Sequence, residues 1–195
     1  MTCVLVLTIL STWLVPAASR TKPATPQDVH VGERLMSDPA IKGVVERLQR
    51  DEPFVIDEQL RLCEIPAPPF GEAARGAAYK RAFESLGLSN VRIDAAGNVL
   101  GERQGLSPRP HLVVSAHLDT VFAPETRVTP SRSGAVLSGP GIADDCRGLA
   151  VLLGIIRAIT AANLQTAGSI TFIGTVGEEG LGDLRGVKHL FQAGA

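Results

Sequence analysis

The residues with the most chemical potential lie in three short segments: Ser115-Ala116-His117-Leu118-Asp119-Thr120-Val121, Gly139-Pro140-Gly141-Ile142-Ala143-Asp144-Asp145 and Gly177-Glu178-Glu179-Gly180. The first and third follow apolar runs that read as buried strands. Loops at strand ends carry function more often than strand interiors do. An imidazole and carboxylates converging from different strand ends can hold a divalent cation, and a carboxylate left over can serve as a base. That chemistry is metal-assisted hydrolysis. Taken singly, each segment has a plainer structural meaning: an Asp-Asp pair often caps a helix or turns in solvent, and a Glu-Glu pair often lies on an exposed face. It is their occurrence together that argues for one shared site.

The elements that must position these groups can be read from periodicity. Ser37 or Asp38 caps a helix with Pro39 in its first turn and Ile41, Val44, Val45 and Leu48 at helical spacing. A second helix covers about 54–63, and Ile65-Pro66-Ala67-Pro68-Pro69-Phe70-Gly71 is a rigid loop because proline removes donors and restricts its predecessors. Helix returns over about 72–86, with Gly87 as its C-cap. Strands are expected at 91–94 and 99–102, turned at Ala95-Ala96-Gly97-Asn98, and again at 111–115 and 169–176. Residues 128–137 read as a hairpin, 149–162 as a buried helix, and 183–192 as a helix. Strands alternating with helices predict an α/β layered fold with a mostly parallel sheet.

Composition limits the function classes. The 195 residues suit one domain, or a domain and a part; 45% are apolar and 20% charged, enough for a core. The net charge of −1 gives no electrostatic reason to expect nucleic acid or an anionic membrane surface as partner. Residues 1–19 carry no charged side chain, hold an apolar stretch from Val4 to Val15 and end in Pro16-Ala17-Ala18-Ser19. They read as a secretory signal peptide too short for a membrane span, which places the mature protein in a secreted or periplasmic setting with no stable span after cleavage. Residues 20–36 read as a flexible leader. Once Cys3 leaves with the signal, Cys63 and Cys146 remain and are expected to be free thiols.

The three segments resemble the M20 family of zinc metallopeptidases, which includes peptidase T-like tripeptide aminopeptidases and glutamate carboxypeptidases. Glu64-Ile65-Pro66-Ala67-Pro68-Pro69-Phe70-Gly71-Glu72 and Asp94-Ala95-Ala96-Gly97-Asn98-Val99 also look like its peptidase T-like branch, so the likeness runs from about residue 50 to 195. It implies a three-layer αβα fold and a site for two zinc ions, with cobalt as a substitute. His117, Asp144 and Glu179 would be metal ligands, with Asp144 bridging. Asp119 would orient the His117 ring by accepting its other N–H, and Glu178 would be the general base. The implied activity is exopeptidase cleavage of small peptides; the alternatives are an amidohydrolase acting on N-acyl amino acids and a non-catalytic binding or scaffold domain. The family's further acidic ligand, C-terminal His and inserted lid domain, often used to form a homodimer, have no counterpart up to Ala195. Residues 37–195 are therefore expected to be the N-terminal part of the catalytic domain, weakly active or inactive alone. Cys146-Arg147 stands where family members usually have lysine or a similar residue. His30, His111 and His189 are read as structural.

Overall fold

A computed structural model of the chain describes residues 26–192. The expected signal peptide therefore lies outside the described residues. Helix α1 (Pro26–Ser37) belongs to a compact unit separate from the residues from Asp38 onward. Its existence corrects the reading of 20–36 as leader throughout. Proline is pre-shaped for a first helical turn, and Glu33, Arg34, Leu35 and Met36 are good helix formers; low apolar content hid the helix. On it, His30 pairs with Glu33 at 3.3 Å.

The second unit begins with α2 (Pro39–Arg50) and α3 (Glu52–Cys63). Asp38 caps α2 by accepting the backbone N–H of Ala40 and Ile41, as its position before Pro39 predicts. The proline-rich loop leads to α4 (Ala73–Ser85), and Gly87, at φ +80°, takes the left-handed conformation just past its end. Two strands follow, β1 (Ser89–Ile93) and β2 (Val99–Arg103). Then come β3 (Leu112–His117), the small hairpin β4 (Ser131–Ser133) and β5 (Val136–Ser138), α5 (Cys146–Ala161), β6 (Ile170–Thr175) and α6 (Arg185–Gln192).

The main sheet has the order β1-β2-β6-β3. The α/β architecture is as expected, but the sheet is mixed: β1 with β2 and β2 with β6 run antiparallel, and only β3 with β6 run parallel. The short turn at Asp94–Asn98 forces β1 and β2 into opposite directions, whereas the α5 crossover has the length a parallel pair needs. One sheet face packs under α4 and α5. There Tyr79, Phe83, Leu118, Leu149, Leu153, Ile156 and Phe172 are essentially removed from water. On the opposite face, Val113, Ser115, Ile173 and Thr175 look toward Val187, Leu190 and Phe191 of α6 across a cavity of about 270 Å³. No helix of the described residues is long and apolar enough to cross a membrane.

Candidate metal centre

The expected ligands come from three places that the β3–α5–β6 unit brings together. His117 is the last residue of β3 and pairs with Thr175, near the end of β6. Glu178 and Glu179 follow that end after Gly177, and Asp144 lies in the loop leading into α5. One ligand atom from each of His117, Asp144 and Glu179 falls within a group in which all separations are at most 4.8 Å, the one such cluster among the described residues. His117 Nε2 is 2.9 Å from Asp144 Oδ1 and 4.0 Å from Glu178 Oε2. His189 lies near Asp94 at 3.8 Å, and His111 bonds Thr171 Oγ1 at 2.8 Å.

The hydrogen bonds of His117 define what the pocket can accept. Its Nδ1 is 3.0 Å from the backbone oxygen of Asp119. A carbonyl oxygen only accepts, so Nδ1 carries the proton and the neutral ring presents its Nε2 lone pair to the Asp144 carboxylate. Two acceptors at that distance are reconciled only by a proton or a cation between them. Burial, the largest single influence, opposes charging the ring, but Asp145, Asp144, Asp119 and Glu178 together outweigh it and lift the His117 pKa above the ordinary imidazole value. Burial, reinforced by Asp144 and Glu178, likewise raises the Glu179 pKa. A bound cation would relieve both.

Asp119 is where geometry departs from expectation. Its carboxylate stands 3.8 Å from His117 Nδ1, and the backbone oxygen takes the ring's bond instead. The fully buried carboxylate accepts the backbone N–H of Glu178 at 3.0 Å and of Glu179 at 2.8 Å. One residue thus fixes the ring through its main chain and the acidic turn through its side chain. The acidic pair before α5 also divides its labour. Asp144 is open to solvent and faces the ring, while Asp145 caps α5 by accepting Gly148 N–H at 2.9 Å and accepts the His117 N–H at 3.0 Å. The peptide bond between them is cis.

A shell of residues that the sequence did not single out holds these loops. Arg75, fully buried on α4, donates to the Ile65 carbonyl and, at 2.7 Å, to that of Leu118, while Thr120 N–H reaches the Ala67 carbonyl at 2.9 Å. The proline-rich loop is thereby stapled to the His117–Thr120 segment. Buried Asn98 accepts Val176 N–H at 3.1 Å and donates to Asp94 Oδ2 and the Gly186 carbonyl, tying the β1–β2 turn to the segment just before Glu178. Arg75 gave no signal beyond a cation in a small-residue helix; Asn98 lay in a quoted motif, without an assigned role. Two glycines are required by shape. At Gly141 (φ +72°) a Cβ would meet Thr120 Cγ2 at 2.6 Å, and at Gly177 (φ +63°) it would collide with the Arg185 guanidinium.

A mixed α/β sheet thus carries an imidazole–carboxylate cluster at its strand ends. Residues 113–195 match the model described as peptidase family M20/M25/M40. Carboxypeptidase G2 from Pseudomonas sp. (strain RS-16) is 31% identical over 116 residues, which cover 56% of this chain and 28% of that protein. Among solved structures, a tripeptidase from Staphylococcus aureus aligns at 28% identity and a TM-score of 0.56, covering 64% of this chain and 36% of the other. The aminopeptidase PepT of Bacillus cereus aligns at 26% identity and 0.55, with the same two coverages of 64% and 36%. The chain thus spans between 28% and 36% of the length of these relatives.

Proposed function

We propose that this chain contributes metal ligands and the general base to a zinc-dependent exopeptidase that cuts small peptides. The carrying observation is the convergence of His117, Asp144 and Glu179 within 4.8 Å. The donor set fits the ion: one neutral imidazole and two carboxylates are nitrogen and oxygen ligands of the kind zinc takes, and cobalt suits the same set. When bound, zinc polarises an amide carbonyl and makes a water acidic near neutrality. Asp119 holds His117 in the tautomer that presents Nε2, and holds Glu178 and Glu179 by their backbone. Glu178, half-exposed beside the cluster, accepts a proton from the attacking water at its carboxylate and returns it to the leaving amine nitrogen. The family, and the carboxypeptidase and tripeptidase among its relatives, support a peptide substrate. The apolar, uncharged residues 1–19 support export to a secreted or periplasmic location, and assembly of the whole enzyme as a homodimer is part of the same reading.

The test is zinc content and hydrolysis measured together, on tripeptides, C-terminally blocked peptides and N-acyl amino acids. Zinc bound by the wild type and lost in His117→Ala and Glu179→Gln supports the ligand set. Faster cleavage of an N-acyl amino acid than of any peptide would replace the peptidase by an amidohydrolase.

A further inference from the structure

Arg185 opens α6, where a cation is electrostatically out of place because the helix presents the positive end of its dipole there. Its surroundings account for the position. Nη2 donates to Glu72 Oε2 at 2.7 Å, and the other oxygen of that almost fully buried carboxylate accepts the Phe70 N–H at 3.1 Å. The guanidinium carbon lies 4.5 Å from the centre of the Phe70 ring. Nη1 is buried and, among the described residues, is the one buried side-chain nitrogen or oxygen without a hydrogen-bond partner. It lies instead against Gly177, where any Cβ would strike it. Gly177 in turn approaches Gly182 so closely that a Cβ on Gly182 would strike the Gly177 Cα. The segment carrying Glu178 and Glu179 therefore closes on itself against the guanidinium. Gly186 N–H, donating to the Val176 carbonyl at 3.0 Å, fixes the base of the same segment to α6. Leaving a buried donor unbonded is unfavourable, which sets this contact apart from ordinary surface ion pairing.

We propose that Arg185 is a positioning residue for the acidic turn: its guanidinium is the support on which Gly177 rests, and its pairing with Glu72 ties that support to the proline-rich loop. The inference rests on the reading of Glu178 as base and Glu179 as ligand. Among the described residues Arg185 pairs with no acid other than Glu72, so it acts on the two glutamates through the main chain. Asp119 accepts their backbone N–H groups, and Arg185 supports the glycine just before them. Pairing also matters for charge. A lone cation behind the turn would repel a metal ion in the cluster, whereas the Glu72 carboxylate offsets it. The side chain has to be arginine on this account. A planar guanidinium can bond a carboxylate with one nitrogen, stack on an aromatic ring and still reach Gly177 with the other nitrogen; the compact ammonium of lysine cannot do all three.

The experiment compares the 195-residue wild type with Arg185→Met/Glu72→Gln and with Arg185→Lys, first without metal. Changing Arg185 and Glu72 together leaves no buried charge alone. Amide hydrogen exchange, read residue by residue by NMR, should quicken about 10–100-fold at Glu178 and Glu179 in the double variant. The increase should be smaller in Arg185→Lys, and in both variants larger than at Phe172 and Ile173 of β6. Exchange at the two glutamates that is unchanged, or that rises no more than in β6, overturns the proposal, because a merely structural arginine would loosen the whole fold alike. Zinc is then titrated into each protein. Affinity should fall about 10–100-fold in the double variant and recover in part in Arg185→Lys; wild-type affinity in the double variant overturns the positioning role. A wild type that takes up no zinc refutes the ligand reading instead, and the metal-free exchange comparison then decides the role of Arg185 by itself. If the double variant fails to fold, Arg185→Lys against wild type carries both comparisons.

Discussion

Replacing Asp119 by Asn tests the link between packing and chemistry most directly, because shape is preserved and one oxygen becomes NH2. The carboxylate is fully buried and accepts two backbone N–H groups, at 3.0 and 2.8 Å. Hydrogen bonds to a charged group contribute about 1.5–3 kcal/mol each, and leaving a buried donor unsatisfied costs about 1–3 kcal/mol. Asparagine keeps one acceptor, and its NH2 then confronts the N–H of Glu178 or Glu179, donor against donor. One bond is lost and one donor is stranded in the same spot, so the two figures describe largely one event, and the expected loss is about 2–4 kcal/mol. Against a total stability of about 5–15 kcal/mol, that is a large but survivable fraction. Urea denaturation followed by far-ultraviolet circular dichroism should show a lower midpoint with an unchanged slope. The same change loosens the Glu178-Glu179 turn, so zinc affinity by titration calorimetry should fall about 10–100-fold. An Asp119→Asn variant with the wild-type midpoint and wild-type zinc affinity would refute the assignment of Asp119 as the holder of the acidic turn.

Three further outcomes are expected. Glu178→Gln should retain zinc and stability while reducing turnover by about 10²–10⁴-fold in the complete enzyme, whereas Glu179→Gln should lose zinc; metal analysis beside kinetics separates them, and equal metal retention removes Glu179 from the ligand set. Asn98→Ala deletes one buried acceptor and two donations at the β1–β2 turn, so denaturation should show a loss of about 2–4 kcal/mol, and a loss under about 0.5 kcal/mol would mean that the turn holds without it. Asp51 is held below the usual carboxylate range, first by its hydrogen bond from Arg47 and also by Arg157. A lowered folded-state pKa means that the unfolded chain protonates first. This contribution is therefore complete above about pH 4 and fades as pH falls through the lower folded value; the stability gap between wild type and Asp51→Asn, measured by denaturation across that window, should narrow toward acid.

Local signals carried much of this architecture. Asp38 before Pro39 announces α2, the apolar runs of β3 and β6 stand out by composition, and the segments around His117, Asp144 and Glu179 are visible as polar groups at the ends of such runs. What stayed hidden depends on contacts between distant segments. No spacing rule says that the Asp119 carboxylate would turn to the backbone of Glu178, or that Arg75 would staple two loops. Strand direction was misjudged for a different reason. Alternation of helix and strand describes the β3–α5–β6 part, but the helices of the first half precede the hairpin strands rather than joining them.

The alignment of β3 on β6 has a consequence for how faithfully the molecule assembles. Side chains alternate between sheet faces, so sliding β3 by a single residue would swing the imidazole away from the carboxylates and bring Ala116 or Leu118 to its place. Only the correctly aligned sheet gathers all three donors. An ion held by that cluster therefore binds the properly paired chain and not its slipped competitors, and by mass action it favours the former in proportion to its concentration. A metal bound there would act before any substrate arrives, as a proofreader of strand alignment.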